Sequence, residues 1–281
     1  MMNICSESVE RLSEILGLEN LNRHVGSLLI STTGCFIIQF ISNSFLSTYL
    51  FPNHYPRLTS FTKFNWDTRL VAWVHAIYAT SISIWFLSNH HRYSSLHDDK
   101  LFGYNPQAMN FLTYSAGYFL WDTIISGILT IRGHGFGFLL HAISCFIAFF
   151  YSIKPFAGYF GFVFLLWEVS TIFLNPHWIF DKVGLTGSRA QLYNGVALII
   201  SFFLSRLVLG NYTSYQLFVE SFKPGVRQKA GSSLLNTILF LDIVLSGLNV
   251  YWFYQMIASV RKRMNISSSS RLSNLSKPKH Q

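Results

Sequence analysis

Long apolar stretches separated by polar connections dominate the pattern of hydrophobic and polar positions along the chain. A helix needs roughly 17–25 mainly apolar residues to cross the hydrocarbon core of a bilayer, and each stretch reaches that length. The stretches are Val25–Ile41, Leu70–Leu87, Phe111–Ile131, Phe136–Ile153, Phe156–Leu174, Leu192–Leu209 and Leu234–Ile257. The pattern therefore predicts an all-α membrane protein with about seven transmembrane helices.

Glycine and proline mark the connections between the middle stretches. Gly133, Gly135 and Gly137 lie close together between the third and fourth stretches and predict a tight hairpin. Lys154-Pro155 precedes the fifth stretch, and proline is favoured where a helix begins because its missing N–H has no helical partner there. The third, fourth and fifth helices are thus predicted to be antiparallel neighbours.

The two ends of the chain differ from the apolar region. Residues 1–24 contain four glutamates, which excludes a signal peptide because the start of a signal peptide is basic. Val9, Leu12, Leu16 and Leu18 predict an amphipathic helix on the membrane surface. Residues 261–281 are rich in Ser, Lys and Arg without apolar periodicity, so disorder is predicted there.

Composition supports the membrane class and limits the ligands. The chain is 51% hydrophobic and 12% charged, about half the charged fraction of an ordinary soluble domain. The net charge of +9 comes from basic residues scattered over connections and tail, which indicates contact with lipid headgroups and not with nucleic acid. Cys35 and Cys145 lie inside apolar stretches and are expected to act as small hydrophobic residues. No cofactor and no metal site are predicted.

Basic residues also predict the orientation. The connections on the side of the N-terminus carry about eight Lys and Arg, and those on the opposite side about twelve, which places the opposite side in the cytoplasm. Lys277 and Lys279 lie where a dilysine signal for retrieval to the endoplasmic reticulum would bind coat proteins. We therefore expect a multi-pass protein of the endoplasmic reticulum membrane with a lumenal N-terminus and a cytoplasmic C-terminus.

Four ionisable residues, one in each of four apolar stretches, are the candidate functional residues. Ionisable groups inside a membrane are expensive and mark function by default. Counting 1.5 Å per residue from the predicted cytoplasmic face puts all four at a depth of roughly 9–14 Å. They are His75, Asp122, His141 and Glu168. In such a layer, Asp122 is expected to orient His141 or His75 as a base or nucleophile, while Glu168 binds a proton, an amine or a hydroxyl.

Three other polar features receive no functional role from the sequence. Arg206 is close to the end of the sixth stretch, and we expect its side chain to reach the lipid headgroups. Asp242 lies deeper and has no evident partner. The loop with His90, His91 and His97 has ligand-type residues, but their spacing fits no standard metal site.

Five short motifs resemble those of the TLC domain, the family of the TRAM translocon-associated proteins, the LAG ceramide synthases and the CLN lipofuscinosis protein. The motifs are Trp73-Val74-His75, Asp98–Gly103, Gly117–Asp122, Leu139-Leu140-His141 and Glu168–Asn175. The last is the most specific, and in it Ile172 stands where the family usually has proline. The resemblance covers residues 65–260, with residues 25–64 forming a first helix and its connection.

The resemblance implies a barrel of six helices around a lipid-binding cavity, with the first helix outside. Ceramide synthases join an acyl group from acyl-CoA to a sphingoid amine with paired histidines, whereas this chain has His141-Ala142. The leading hypothesis is a protein that binds a membrane lipid and contributes to lipid homeostasis. An N-acyltransferase that uses acyl-CoA to make a sphingolipid such as ceramide, and a cargo or translocon partner with a purely structural polar layer, remain open alternatives.

Overall fold

The computed structural model describes residues 10, 11, 13, 14, 17, 18, 20–133 and 135–275. Every regular element within these residues is a helix, which confirms the all-α prediction. Seven long helices are designated α1 (Leu21–Leu50), α2 (Ser60–Ser88), α3 (Pro106–Ile131), α4 (Phe136–Phe150), α5 (Gly158–Lys182), α6 (Arg189–Ser221) and α7 (Ser232–Leu275). Short helices occupy Tyr55–Arg57, Ser94–Asp98, Tyr151–Ile153 and Val226–Ala230.

The long helices correspond one by one to the predicted apolar stretches. Among the described residues, five of them are long and apolar enough to cross a membrane: α1, α2, α5, α6 and α7. The α3 helix has 26 residues, includes Asp122 and is not among these five. The α4 helix is apolar but has only 15 residues.

Six of the long helices form a closed ring. Around the ring, α2 contacts α3, α3 contacts α4, α4 contacts α7, α7 contacts α6, α6 contacts α5, and α5 returns to α2. The α1 helix packs on the outside, against α3 and α2. This is the barrel with one external helix that the family resemblance implied.

The contact between α1 and α3 depends on a glycine of the predicted motifs. A Cβ atom on Gly117 would lie 2.5 Å from the carbonyl oxygen of Leu28, so only glycine allows the two backbones to approach this closely. Beside it, Ser31 donates a hydrogen bond of 2.6 Å to the carbonyl of Tyr114, and Thr32 donates one of 2.9 Å to that of Gly117. Small residues and hydroxyl groups are the usual means of packing helices in a bilayer.

Three long helices are locally irregular. Ser42–Leu46 in α1 and Phe203–Leu209 in α6 are π-helical turns, and Leu166–Glu168 in α5 is a 3₁₀ turn. Such turns change the direction in which the following side chains project, and they are frequent at functional sites. The turns in α5 and α6 contain Glu168 and Arg206, respectively.

The connections follow the predictions with one change. Gly133 and Gly135 have positive φ angles of 83° and 70°, and they join α3 to α4 as neighbours. Pro155, however, does not begin α5, because the chain after it first turns through Ala157 in the left-handed region and the helix starts at Gly158.

The chain ends also differ in part from the predictions. Leu18 is buried against Leu21 and Ile153, so it contacts protein, while Val9, Leu12 and Leu16 lie outside the described residues. The α7 helix continues to Leu275, although disorder was predicted from residue 261. No proline occurs between Ser232 and Leu275 to stop it. Lys277 and Lys279 lie outside the described residues.

Candidate functional site

The ring encloses a cavity between α3, α4, α5, α6 and α7. It contains about 780 Å³ of space not filled by atoms, part of which lies at its opening. The lining is mainly apolar and rich in phenylalanine, with Phe149, Phe156, Phe160 and Phe164 among its members. Its ionisable residues are His141, Cys145, Glu168 and Asp242. The structure therefore brings two of the four candidate residues, His141 and Glu168, to one cavity.

His141 and Cys145 lie one turn apart on the same face of α4. The Cys145 Sγ atom is 3.8 Å from Nδ1 and 3.7 Å from Nε2 of His141. The imidazole packs edge to face against Trp252 of α7, with 5.3 Å between the ring centroids. A thiol and an imidazole thus lie next to each other in the cavity wall.

Glu168 forms an ion pair with Arg206, which corrects the prediction that Arg206 reaches the headgroups. The Nη2 atom of Arg206 lies 3.6 Å from Oε1 of Glu168, and the side chains are only 6% and 9% exposed. Arg206 projects into the ring because it lies in the π-helical turn of α6 and because acceptors on two neighbouring helices satisfy its guanidinium group.

The hydrogen bonds of Arg206 connect three helices. Its Nε atom donates to the carbonyl oxygen of Trp167 at 3.0 Å and to the hydroxyl of Ser170 at 2.9 Å. Its Nη2 donates to the Thr171 hydroxyl at 3.2 Å, and its Nη1 donates to the Asn249 side-chain oxygen at 3.1 Å. Arg206 on α6 therefore holds α5 and α7 together at the cavity wall.

The rest of the Glu168–Asn175 motif fixes α5 against α2. The indole of Trp73 donates a hydrogen bond of 3.0 Å to the carbonyl of Ile172, the position where the family usually has proline. The Arg69 guanidinium lies 3.4 Å from the Asn175 side-chain oxygen and stacks over Trp178 at 4.7 Å. The motif thus joins α5 to α6, α7 and α2.

Asp122 and His75 do not line the cavity, so the predicted polar layer divides into two parts. Asp122 accepts a hydrogen bond of 3.3 Å from Ser126 one turn along α3, and no hydrogen bond joins it to either histidine. His75 stacks on Tyr118 with 3.7 Å between ring centroids, and neither of its ring nitrogens has a hydrogen-bond partner. The structure thus shows no contact by which Asp122 orients a histidine, and that role stays a prediction.

Phe119 separates the two parts of the layer. Its ring is edge to face with His75 at 5.3 Å and with His141 at 6.2 Å. Depth counting placed the four residues at one level, but it could not show that a phenyl ring of α3 stands between the two histidines.

Asp242, whose partner the sequence did not reveal, is held by a neighbouring helix. Ser214 of α6 donates a hydrogen bond of 2.9 Å to its Oδ1 atom, and Asp242 is 6% exposed at the cavity wall. It is a polar lining residue that the sequence reasoning set aside.

Comparison with known proteins identifies the family of the chain. A family model described as the TLC domain matches residues 65–258. The chain belongs to the TLC-domain family. It is 33% identical over 92% of its length to an uncharacterised TLC domain-containing protein of Schizosaccharomyces pombe, of which it covers 86%.

Other TLC-domain relatives are more distant. The chain is 25% identical to topoisomerase I damage affected protein 4 of Saccharomyces cerevisiae, over 81% of each chain. It is 26% identical to TLC domain-containing protein 4 of Xenopus tropicalis, over 80% of this chain and 87% of the relative. No solved structure matches the chain.

The remaining TLC motif, Asp98–Gly103, stabilises a loop. Asp99 accepts hydrogen bonds from the backbone N–H groups of Leu101 and Phe102 at 3.2 and 2.9 Å. A Cβ atom on Gly103 would clash with the carbonyl oxygen of Ser95, so this position requires glycine. His97 stacks on Phe86, and burial lowers the pKa of His97. These contacts give the motif a structural role in the loop.

Proposed function

We propose that this TLC-domain protein binds a membrane lipid with an acyl chain inside its helical barrel and contributes to lipid homeostasis in the endoplasmic reticulum membrane. The mainly apolar cavity, whose lining includes a few ionisable residues, is the observation that supports this function. Ligand sites of this kind combine a largely apolar lining with few polar groups that fix the orientation of the ligand.

The arrangement of the lining suggests how the lipid is oriented. The part of α5 from Gly158 to Glu168 runs along the cavity for roughly 15 Å at 1.5 Å per residue. Phe156, Phe160 and Phe164 supply an apolar path for a hydrocarbon chain. His141 and Glu168 also line the cavity, and they can hydrogen-bond a lipid hydroxyl, amide or carbonyl group.

An N-acyltransferase is the second candidate function, because the imidazole of His141 lines the same cavity as Glu168. In that case His141 is the base or acyl carrier, and acyl-CoA and a sphingoid amine are the substrates. Asp122 does not orient His141 in this arrangement, so the base would act without a carboxylate partner.

The variants His141→Ala and Asp122→Asn test whether the cavity is the lipid site, because only His141 lines it. We expect His141→Ala to reduce copurifying lipid about 5–150-fold, the scale for losing a hydrogen bond worth about 1–3 kcal/mol. Asp122→Asn should leave bound lipid unchanged at equal protein abundance. The measurement is lipid mass spectrometry on each variant purified from a deletion strain.

The outcomes separate three cases. Binding alone predicts that bound lipid is lost and that no cellular product falls. An acyltransferase predicts that a cellular acylated lipid such as ceramide also falls, with a rate loss of roughly 100-fold or more for a missing base. Bound lipid that is the same in wild type and His141→Ala would refute the role of His141 in either function.

The residence and orientation of the protein form a separate part of the proposal. Lys277 and Lys279 near the cytoplasmic C-terminus are proposed to bind coat proteins, and the N-terminus is proposed to be lumenal. Changing both lysines to serine should shift a fluorescent fusion from reticular staining to the Golgi. Unchanged staining would exclude the lysine signal.

The orientation is tested separately. A tag after Gln281 should be removed by protease added to sealed microsomes, because the C-terminus is proposed to be cytoplasmic. A fully protected tag would reverse the orientation.

A further inference from the structure

A thiol in the cavity wall has no role in lipid binding alone. We propose that Cys145 accepts a fatty acyl group from a long-chain acyl thioester, with His141 as its base; this inference rests on the proposed binding of an acyl chain in the cavity. Cys145 lines the cavity and belongs to the same face of α4 as His141. The sequence had indicated only a small hydrophobic residue at this position.

The contact between Cys145 and His141 provides the chemical basis. The Cys145 sulfur lies 3.8 Å from Nδ1 and 3.7 Å from Nε2 of His141, so the thiol is next to the imidazole. Because the two distances are nearly equal, neither nitrogen points directly at the sulfur, and proton transfer requires the imidazole to turn about its Cβ–Cγ bond. A base beside a thiol is the usual way to generate the thiolate, which is the nucleophilic form.

The surroundings favour an acyl group as the reactant. The residues beyond Cys145 along α4 and across on α5 are apolar, including Ala148, Phe149 and Phe164. Such a wall suits a hydrocarbon chain whose carbonyl carbon lies beside the thiol. The ion pair between Arg206 and Glu168 holds α5 and α6 together at the cavity wall.

The proposed step exchanges one thioester for another. The Cys145 thiol gives its proton to His141, and the thiolate sulfur forms a bond to the acyl carbonyl carbon. The carbon–sulfur bond of the incoming thioester then breaks, and the leaving thiolate takes the proton from His141. The products are an acylated Cys145 and a free thiol, and no oxidant or reductant is required.

Cys35 provides an internal control. Cys35 and Cys145, the two cysteines among the described residues, are both free and buried. Cys35 lies on α1, outside the ring, and does not line the cavity. General reactivity of buried thiols with acyl thioesters would modify both residues. The proposed mechanism modifies Cys145 alone.

The test uses the full-length protein in a Cys5→Ser background, purified in detergent and incubated with saturating palmitoyl-CoA. Mass spectrometry of the intact protein and of its peptides measures the acyl adduct, its position and its removal by neutral hydroxylamine, which cleaves thioesters. We expect a hydroxylamine-sensitive palmitoyl group on Cys145. His141→Gln should slow its formation by roughly 100-fold, and Cys35→Ser should not change the rate.

Measurement of copurifying lipid on the same wild-type sample separates this inference from the proposed function. If lipid is bound and Cys145 is not acylated, or if Cys35 and Cys145 are acylated equally, the inference is wrong and lipid binding stands. If neither bound lipid nor acylation is found, both are wrong. Acylation of wild-type Cys145 at a rate unaffected by His141→Gln would overturn the role of His141 as base.

Discussion

Arg206→Met should destabilise the protein by about 3–5 kcal/mol, the usual cost of removing one partner of a buried ion pair. The substitution leaves Glu168 buried without its cation and removes hydrogen bonds to Trp167, Ser170 and Asn249. Because these bonds join α5, α6 and α7, the cavity wall should loosen together with the fold. The measurement is the thermal midpoint of the detergent-purified protein, read by the loss of monomer on size-exclusion chromatography after heating.

The control for this prediction is Arg189→Met, on the same helix. Arg189 is exposed at the start of α6, so its replacement should leave the thermal midpoint close to that of wild type. The double variant Arg206→Met with Glu168→Gln removes both charges and should recover part of the lost stability. Equal midpoints for Arg206→Met and Arg189→Met would show that the ion pair contributes little to the fold.

The helices follow directly from the sequence because the physical requirement is simple. Crossing hydrocarbon demands a run of apolar residues of a set length, and each predicted stretch overlaps one long helix of the structure. The hairpin at Gly133 and Gly135 is equally local, because only glycine readily adopts the positive φ angles observed there. Helix irregularities were not predictable in this way.

Only two of the four predicted site residues line the cavity, and the reason is geometric. Counting residues gives the depth of a side chain in the membrane but not the direction in which it projects around the helix axis. His141 and Glu168 project towards the cavity. His75 and Asp122 were placed at the same depth, but they do not line the cavity.

The burial of Arg206 was not predicted. Its position near the end of an apolar stretch had indicated that its side chain reaches the lipid headgroups. The π-helical turn around it changes the direction of the side chain and is not visible in the sequence. One signal was available. Glu168 is a carboxylate inside an apolar stretch, and an ionisable group there is usually paired with another.

Filling the cavity should remove bound lipid, which is the second large effect expected. Ile238→Trp places a large ring at the cavity lining on α7. Ile243→Trp makes the same substitution on the same helix, at a residue that is 58% exposed on the outside of the barrel. Because only the first change reduces the space for an acyl chain, only the first should lower the amount of copurifying lipid.

The central claim is that the barrel holds a lipid in this cavity. The most direct test is to measure the amount of lipid per protein in these two variants and in wild type. Native mass spectrometry and lipid extraction from equal amounts of monomeric protein give that ratio. The account predicts about one lipid per protein for wild type and Ile243→Trp, and at least a tenfold loss for Ile238→Trp, which corresponds to about 1.4 kcal/mol of binding free energy. The same lipid content in all three proteins would contradict it.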